Sequence, residues 1–179
     1  MKKTKKYTSI SAVLSEDLRY RYTLVREWDP AKLKVTFLMV NPSTADQQID
    51  DATIRKCVGF ADAWGYGGII VVNLFALRSR EPKALLTADD PIGPDNDAHL
   101  LERVSAPGPF VVAWGCDDTL KRRKLLMDRR DSVLARLQEV RPGEILCLGT
   151  TMGGAPKHPL MLAYTTPLVP YHIPTVVAA

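Results

Sequence analysis

Hydrophobic and polar positions along the chain predict strands that alternate with helices. Four apolar or β-branched runs, each bounded by turn-forming residues, are typical of strands buried on both faces of a parallel sheet. These strands are predicted at residues 33–40, 69–75, 110–115 and 144–149. Helices are predicted between them, at residues 51–64, 94–104 and 118–139. This order of elements predicts the α/β class, with a parallel sheet that carries helices on both faces.

A hairpin is predicted ahead of this sheet, at residues 10–28. Every second residue from Tyr20 to Leu24 is apolar and the intervening residues are polar, which is the period of a half-buried antiparallel strand. The predicted fold is therefore a three-layer αβα sandwich with a central four-stranded, mostly parallel sheet and an N-terminal β-hairpin. Residues 1–6 are predicted to be a disordered basic tail, and residues 7–179 a single domain.

The composition excludes several classes of protein. The 179 residues carry a net charge of +4, which permits an anionic partner such as a nucleic acid or a nucleotide. No apolar run is long enough to span a bilayer and the basic start lacks the apolar core of a signal peptide, so we expect a cytoplasmic protein with no membrane partner. The cysteines and histidines lack metal-ligand spacing, and no dinucleotide or triphosphate motif is present. We therefore predict neither a metal nor a cofactor.

Polar residues follow three of the four predicted sheet strands. Asn41-Pro42-Ser43 ends the first, Asn73 lies near the end of the second, and His158 lies in the loop after the fourth. Because the carboxyl ends of parallel strands share one edge of a sheet, where α/β proteins bind ligands, we expect these side chains to line one pocket. Two amides can read the edge of a nucleobase, and an imidazole can stabilise a developing anion.

Each of these residues also has a purely structural interpretation. Asn41 and Pro42 can form a turn, a buried Asn73 can bond to backbone groups, and His158 can cap a loop.

An acidic loop with Asp46, Asp50 and Asp51 precedes the predicted helix at 51–64. Aspartates at a helix start interact favourably with the helix dipole, which is their structural interpretation. They could instead hold a magnesium ion in a different kind of small-molecule enzyme. In the pocket predicted here, Asp46 or Asp51 is the carboxylate closest to a bound water and is the predicted general base.

Seven short motifs stand out along the chain. They are Met39-Val-Asn-Pro-Ser-Thr-Ala-Asp46, Asp51-Ala-Thr-Ile-Arg55, Trp64-Gly-Tyr-Gly67, Val72-Asn-Leu-Phe-Ala76, Pro91-Ile-Gly-Pro-Asp-Asn-Asp97, Ala113-Trp-Gly115 and His158-Pro-Leu160. In this order they resemble the bacterial and phage family called domain of unknown function 1643, over roughly residues 10–171. That family is itself poorly characterised, so the resemblance implies little about activity.

The order of the strand-end motifs is also similar, more distantly, to the uracil-DNA glycosylase superfamily. By that resemblance Asn41-Pro42 stands where an Asp-Pro or Asn-Pro motif positions the attacking water. Asn73 stands where an asparagine reads the base, and His158 where a histidine stabilises the departing base anion. An asparagine at position 41 resembles the mismatch-specific branch, in which Asn holds the water. The chain departs from the superfamily after Pro42, where no aromatic follows, and in the His158 loop, where the usual Ser-Pro is missing.

Two functions follow from these resemblances and from the predicted pocket. The first is an N-glycosidic hydrolase similar to uracil-DNA glycosylase, which acts on a base or modified base in nucleic acid or in a nucleotide. Its catalytic residues are predicted to be Asn41, Asp46, Asp51 and His158. Its base-binding residues are predicted to be Pro42, Ser43, Asn73, Phe75 and Trp114, and its phosphate-binding residues Arg55, Arg78 and Arg80. The alternative is a non-catalytic module that binds a nucleotide or nucleic acid in the same pocket.

Overall fold

The computed structural model describes residues 5–43, 49–115 and 118–173, and it contains a seven-stranded mixed sheet between helices. The strands are β1 (Ser9–Leu14), β2 (Arg21–Glu27), β3 (Lys34–Met39), β4 (Gly68–Asn73), β5 (Phe110–Val112), β6 (Ile145–Cys147) and β7 (Val169–Pro170). The helices are α1 (Ala52–Ala63), α2 (Asn96–Ser105) and α3 (Lys124–Val140). Short 3₁₀ helices lie at Pro82–Leu86, Leu120–Arg122 and Pro159–Met161.

The strands are ordered β1-β2-β4-β3-β5-β6-β7 across the sheet. Parallel pairing joins β4 to β3, β3 to β5 and β5 to β6. Antiparallel pairing joins β1 to β2, β2 to β4 and β6 to β7. The α/β class is therefore confirmed, but the sheet is larger and more mixed than the four-stranded sheet predicted. The N-terminal hairpin is part of this sheet because β2 pairs with β4, and β7 was not predicted at all.

Each face of the sheet is covered by helices, and a separate apolar core lies on each side. Val35, Phe37 and Met39 of β3 belong to the core beneath α1, whereas Leu38 belongs to the core shared with α2 and α3. This alternation is the period of a strand whose two faces are both buried. It explains why β3 appears in the sequence as a continuous apolar run.

The helix α1 begins at the carboxyl edge of the sheet. Asp51 is its N-cap, and Oδ1 of Asp51 accepts a hydrogen bond of 2.8 Å from the backbone N–H of Ile54. An aspartate in this position satisfies one of the free N–H groups of the first turn and complements the helix dipole. Ile54, Cys57 and Ala61 then pack into the core, as their helical spacing predicts.

The strand β2 contains a β-bulge that changes the face on which its side chains lie. Its pairing with β1 skips Tyr22, because Thr23 and Arg21 oppose successive residues of β1. In a regular strand, residues two apart share a face, but Tyr22 packs in the core with α2 and α3 while Leu24 packs beneath α1. The extra residue places Arg21 on the α1 side of the sheet, near Ile54.

The predicted basic tail at residues 1–6 is only partly described by the structure. Residues 1–4 of the predicted basic tail lie outside the described residues, and Lys5 forms an ion pair with Asp62 on α1. In the described part of the chain, no helix has the length and apolar character that crossing a membrane requires.

Candidate functional site

A cavity of about 330 Å³ opens at the carboxyl ends of β3, β4 and β5, beside the first turn of α1. This volume falls within the range of roughly 300–1,000 Å³ that is typical of small-molecule sites. Seven of the predicted site residues border the cavity, namely Asn41, Ser43, Asp51, Asn73, Arg80, Trp114 and His158. Segments more than a hundred positions apart in the chain therefore meet at one place, as the strand-end argument predicted.

Asn73 is the last residue of β4, and only 2% of it is exposed. No hydrogen bond in the described part of the chain uses its side-chain amide, although that amide borders the cavity. Its backbone is held in place, because Nδ2 of Asn96 donates to the carbonyls of Asn73 and Leu74 at 3.2 and 3.1 Å. Buried amides are normally hydrogen-bonded. A buried amide with no hydrogen-bond partner among the described residues therefore offers a donor and an acceptor to a ligand.

Asn41 follows β3 and is oriented by the backbone of a neighbouring loop. Its Nδ2 donates to the carbonyl of Ser79 at 3.0 Å and to that of Pro42 at 3.3 Å. The amide nitrogen is therefore used within the protein, and Oδ1 remains as the group that can accept a hydrogen bond from a water or a ligand in the cavity.

His158 borders the cavity from the loop that follows β6. Its Nδ1 accepts a hydrogen bond of 3.2 Å from the backbone N–H of Leu160, so the proton of the neutral imidazole is on Nε2. Burial lowers the pKa of His158 below its usual value, and the nearby charge of Asp51 opposes this shift. His158 is therefore a neutral hydrogen-bond donor at neutral pH, which suits the stabilisation of a developing anion.

Gly115, directly after Trp114, allows His158 to approach the end of β5. Gly115 has a φ of +83°, and a Cβ placed on it would lie 2.9 Å from the Cβ of His158. The backbone N–H of Gly115 also donates to the carbonyl of Pro156 at 2.8 Å. The Trp-Gly motif therefore has a physical reason, since only glycine accommodates this backbone conformation and this close contact together. Trp114 itself packs edge-on against Tyr171, with ring centroids 6.0 Å apart.

Arg21 is a cavity residue that the sequence did not reveal. It is 6% exposed, and its Nε has no hydrogen-bond partner in the part of the chain that the structure describes. Burial lowers the pKa of Arg21 to about 10, against an opposing effect of the charge of Asp51, so the guanidinium remains charged at neutral pH. The strand alternation is typical of a half-buried strand with its polar residues toward solvent, but β2 is buried on both faces, so this interpretation was wrong for Arg21. The bulge at Tyr22 sets the face on which Arg21 lies.

Four of the predicted site residues lie away from the cavity lining. Phe75 is fully buried in the core with α2 and α3, and Pro42 is buried behind Asn41. Nη1 of Arg78 donates to the carbonyl of Leu18 at 2.7 Å, and Nη1 of Arg55 donates to the carbonyl of Asp50. Both arginines thus donate hydrogen bonds to backbone carbonyls. Arg80 is the member of the predicted phosphate-binding set that borders the cavity.

Asp46, predicted as a general base, lies outside the described residues. Within those residues, no group of three or more His, Cys, Asp and Glu side chains is arranged to hold a metal ion.

Comparison with known proteins gives one family match. A family model described as "Protein of unknown function (DUF1643)" matches residues 21–160. This stretch begins at Arg21 and ends two residues after His158, so it contains all of the cavity residues discussed above. No curated protein matches the chain, and no solved structure matches it. The comparisons therefore give no support to the resemblance to the uracil-DNA glycosylase superfamily.

Proposed function

The chain belongs to the DUF1643 family, whose description assigns no activity, and we propose from its own site that it is a hydrolase that binds a nucleobase and cleaves its N-glycosidic bond. The base belongs to a nucleotide or a nucleic acid. The likeness to uracil-DNA glycosylases, in the site and in the parallel part of the sheet, is part of this proposal and rests on the order of the strand-end motifs.

The amide of Asn73 is the observation that carries the proposal. Asn73 is almost fully buried and its amide is unpartnered within the described residues, while its backbone accepts a hydrogen bond from Asn96. Nucleobases present a hydrogen-bond donor and an acceptor side by side on one edge, and an asparagine amide is complementary to such a pair. Trp114, which is 4% exposed, also borders the cavity, and an aromatic edge there suits a planar ring.

The hydrolysis assigns one role to each polar group of the cavity. Oδ1 of Asn41 holds a water, and the carboxylate of Asp51 accepts a proton as that water attacks C1′ of the sugar. The bond between C1′ and the base nitrogen breaks, and its electron pair leaves with the base. The Nε2–H of His158 donates a hydrogen bond to the base anion, which then takes up a proton. The products are a free base and a sugar that carries the hydroxyl group from water.

A non-catalytic binding module is the competing function, and a specific feature of Asn41 favours it. Its amide cannot take a proton from water, and its nitrogen is already bonded to the carbonyl of Ser79. Binding without hydrolysis would therefore need nothing beyond the groups already described.

Base release decides between these two functions. Purified protein is incubated with nucleosides, nucleoside monophosphates and oligonucleotides that contain normal, deaminated and alkylated bases, and free bases are separated by chromatography. We expect release from at least one substrate, and we expect His158→Ala to slow it by about a hundredfold or more, as for the loss of an oxyanion donor. His172→Ala, which changes an exposed histidine outside the cavity lining, is the control and should retain the rate.

Release that is unchanged in His158→Ala would refute the assigned role of His158. Binding without any release across the whole panel would leave the binding module as the function.

A further inference from the structure

Arg21 is a buried cation whose guanidinium faces the cavity. In the described part of the chain no carboxylate forms an ion pair with it, and its Nε has no hydrogen-bond partner. Asp51 is the carboxylate whose charge acts on Arg21, but Oδ1 of Asp51 is bonded to the N–H of Ile54. A buried charge without a partner is strongly unfavourable, so a group that remains unpaired in the protein alone points to a partner that arrives with a ligand.

Arg26, on the same strand, is a buried arginine with a structural role and gives a comparison for Arg21. Arg26 is fully buried, its Nε donates to Oδ1 of Asp50 at 2.7 Å, and its Nη1 donates to the carbonyl of Val25 at 3.0 Å. Tyr7 donates a hydrogen bond to the same carboxylate. Among the described residues Arg21 has no such arrangement, although it lies five residues away on the same strand.

The charged groups that border the cavity favour an anion. Among the described lining residues Arg21 and Arg80 are positively charged and Asp51 is negatively charged, so these residues carry a net charge of +1. The first turn of α1, at Ala52 and Thr53, also borders the cavity. The amino-terminal end of a helix carries a partial positive charge, and it favours anionic groups.

The strand order places Arg21 to one side of the groups proposed to hold the base, because β2 pairs with β4, which ends in Asn73. Asn73 ends β4 and Trp114 follows β5, with β3 between these two strands. A base held between Asn73 and His158 therefore lies above β3, whereas Arg21 comes from β2, two strands away. Neighbouring strands are about 4.8 Å apart, so β2 lies roughly 10 Å from β3 across the sheet. The side chain of Arg21 and the sugar and 5′-phosphate of a nucleotide together bridge this span.

We propose that Arg21 binds the terminal phosphate of the ligand, so that the cavity takes a free nucleoside 5′-monophosphate. This inference rests on the proposed function for the base and adds the anionic half of the ligand. A phosphate monoester has two or more oxygens that can accept from one guanidinium. Because Arg21 is 6% exposed and borders the cavity, we expect its phosphate to be the end of a molecule that enters, whereas a phosphodiester inside a strand continues in two directions.

The test is isothermal titration of four probes into the wild-type protein and into Arg21→Met. The probes are inorganic phosphate, a nucleoside, its 5′-monophosphate and a 5′-phosphorylated oligonucleotide, repeated for each common base and for any base that the release assay identifies. For the wild type we expect the monophosphate to bind roughly tenfold or more tightly than the nucleoside, the difference expected for a hydrogen bond to a charged group. In Arg21→Met this preference should disappear while the affinity for the nucleoside remains.

Equal affinities of the wild type for nucleoside and monophosphate would overturn the inference, and so would a preference that survives in Arg21→Met. Tighter binding of the oligonucleotide than of the monophosphate would overturn the assignment to a free nucleotide.

Thermal unfolding without ligand gives a second, independent measurement. Arg21→Met should keep or raise the melting temperature, because it removes an unpaired buried charge. Arg26→Met is the matched control and should lower the melting temperature by several degrees, because Asp50 and Tyr7 lose their buried partner. If Arg21→Met destabilises the protein as strongly as Arg26→Met, Arg21 is structural and the inference is overturned.

The same titrations separate this inference from the proposed function. A nucleotide that binds no more tightly than inorganic phosphate would refute base recognition while leaving Arg21 as an anion site. A nucleoside that binds as well as its monophosphate would refute the anion site while leaving base recognition intact.

Discussion

At the scale of single residues, the cavity is defined by polar groups whose protein partners are incomplete. The side-chain amide of Asn73 and the Nε of Arg21 have no hydrogen-bond partner among the described residues. His158 is different, because the N–H of Leu160 uses Nδ1 and so directs the proton to Nε2. The state of this histidine is therefore coupled to the 3₁₀ helix at Pro159–Met161 that it caps.

Protonation of His158 is expected to reduce stability at acid pH. Burial keeps the folded-state pKa of His158 below the usual value of 6.5, so the unfolded chain takes up this proton first as the pH falls. The contribution of His158 is fully present above pH 6.5 and declines as the pH falls from there through the folded-state pKa. His158→Asn retains a side-chain oxygen that can cap the N–H of Leu160 but does not titrate.

Urea unfolding between pH 7.5 and 5 provides the measurement. The free energy of unfolding of the wild type should fall more steeply below about pH 6.5 than that of His158→Asn. Parallel curves for the two proteins would contradict this account.

At the scale of elements, the helices and inner strands could be predicted because their signals are local. The apolar run of β3 and the one-sided apolar face of α1 need only neighbouring residues to be recognised. The bulge in β2 depends on its register with β1, and the short strand β7 depends on its pairing with β6, and neither is visible in a local apolar pattern. Arg21 was not recognised as buried because β2 is covered on both faces, and its position on the α1 side depends on the one extra residue in β2.

The junction between β5 and the His158 loop gives a prediction at this scale. Gly115→Ala introduces a methyl group into a left-handed backbone conformation and against the Cβ of His158. It should lower the free energy of unfolding, and it should also lower either the rate of base release or the affinity for the ligand. Gly143→Ala is the matched control, because Gly143 has a φ of +76° and no atom within 4 Å of an added Cβ.

Both glycine variants should lose roughly 1–2 kcal/mol of unfolding free energy from the conformational strain. Gly115→Ala alone should lower ligand affinity or base release in the titration and release assays. Equal function in the two variants would show that the contact between Gly115 and His158 does not position the histidine.

At the scale of the whole molecule, the cavity joins parts of the chain that only the sheet brings together. Asn41, Asn73 and His158 were predictable as a group because parallel strands end at one edge. Phe75 could not be placed, because it follows the end of β4, and a continuous apolar run does not show where the strand ends or which core the next residues enter. The backbone contacts of Arg55 and Arg78 depend on loop geometry that no pattern in the sequence encodes.

Ligand binding is expected to slow hydrogen exchange in three separate segments together. These are the start of β2, the end of β4 and the loop at residues 156–160, because all three border or support the cavity. A ligand that binds only the folded state raises the free energy of opening by about 2.7 kcal/mol at a hundred times its dissociation constant. The C-terminal half of α3, which does not border the cavity, should respond less.

Hydrogen exchange followed by mass spectrometry, measured with the 5′-monophosphate and with the nucleoside, separates the contribution of the phosphate from that of the base and sugar. Protection at β2 should require the phosphate. Protection restricted to one of the three segments would contradict a single ligand that spans the cavity.

The bulge at Tyr22 has a consequence for how this site can change through evolution. A β-bulge corresponds to one inserted residue, so the loss of a single codon from β2 would restore regular alternation and turn Arg21 toward the opposite face. The fold would keep its helices and its parallel strands, yet the cavity would lose its buried cation. A length difference of one residue between positions 20 and 24 would thus divide homologous chains into those that bind charged ligands and those that bind neutral ones.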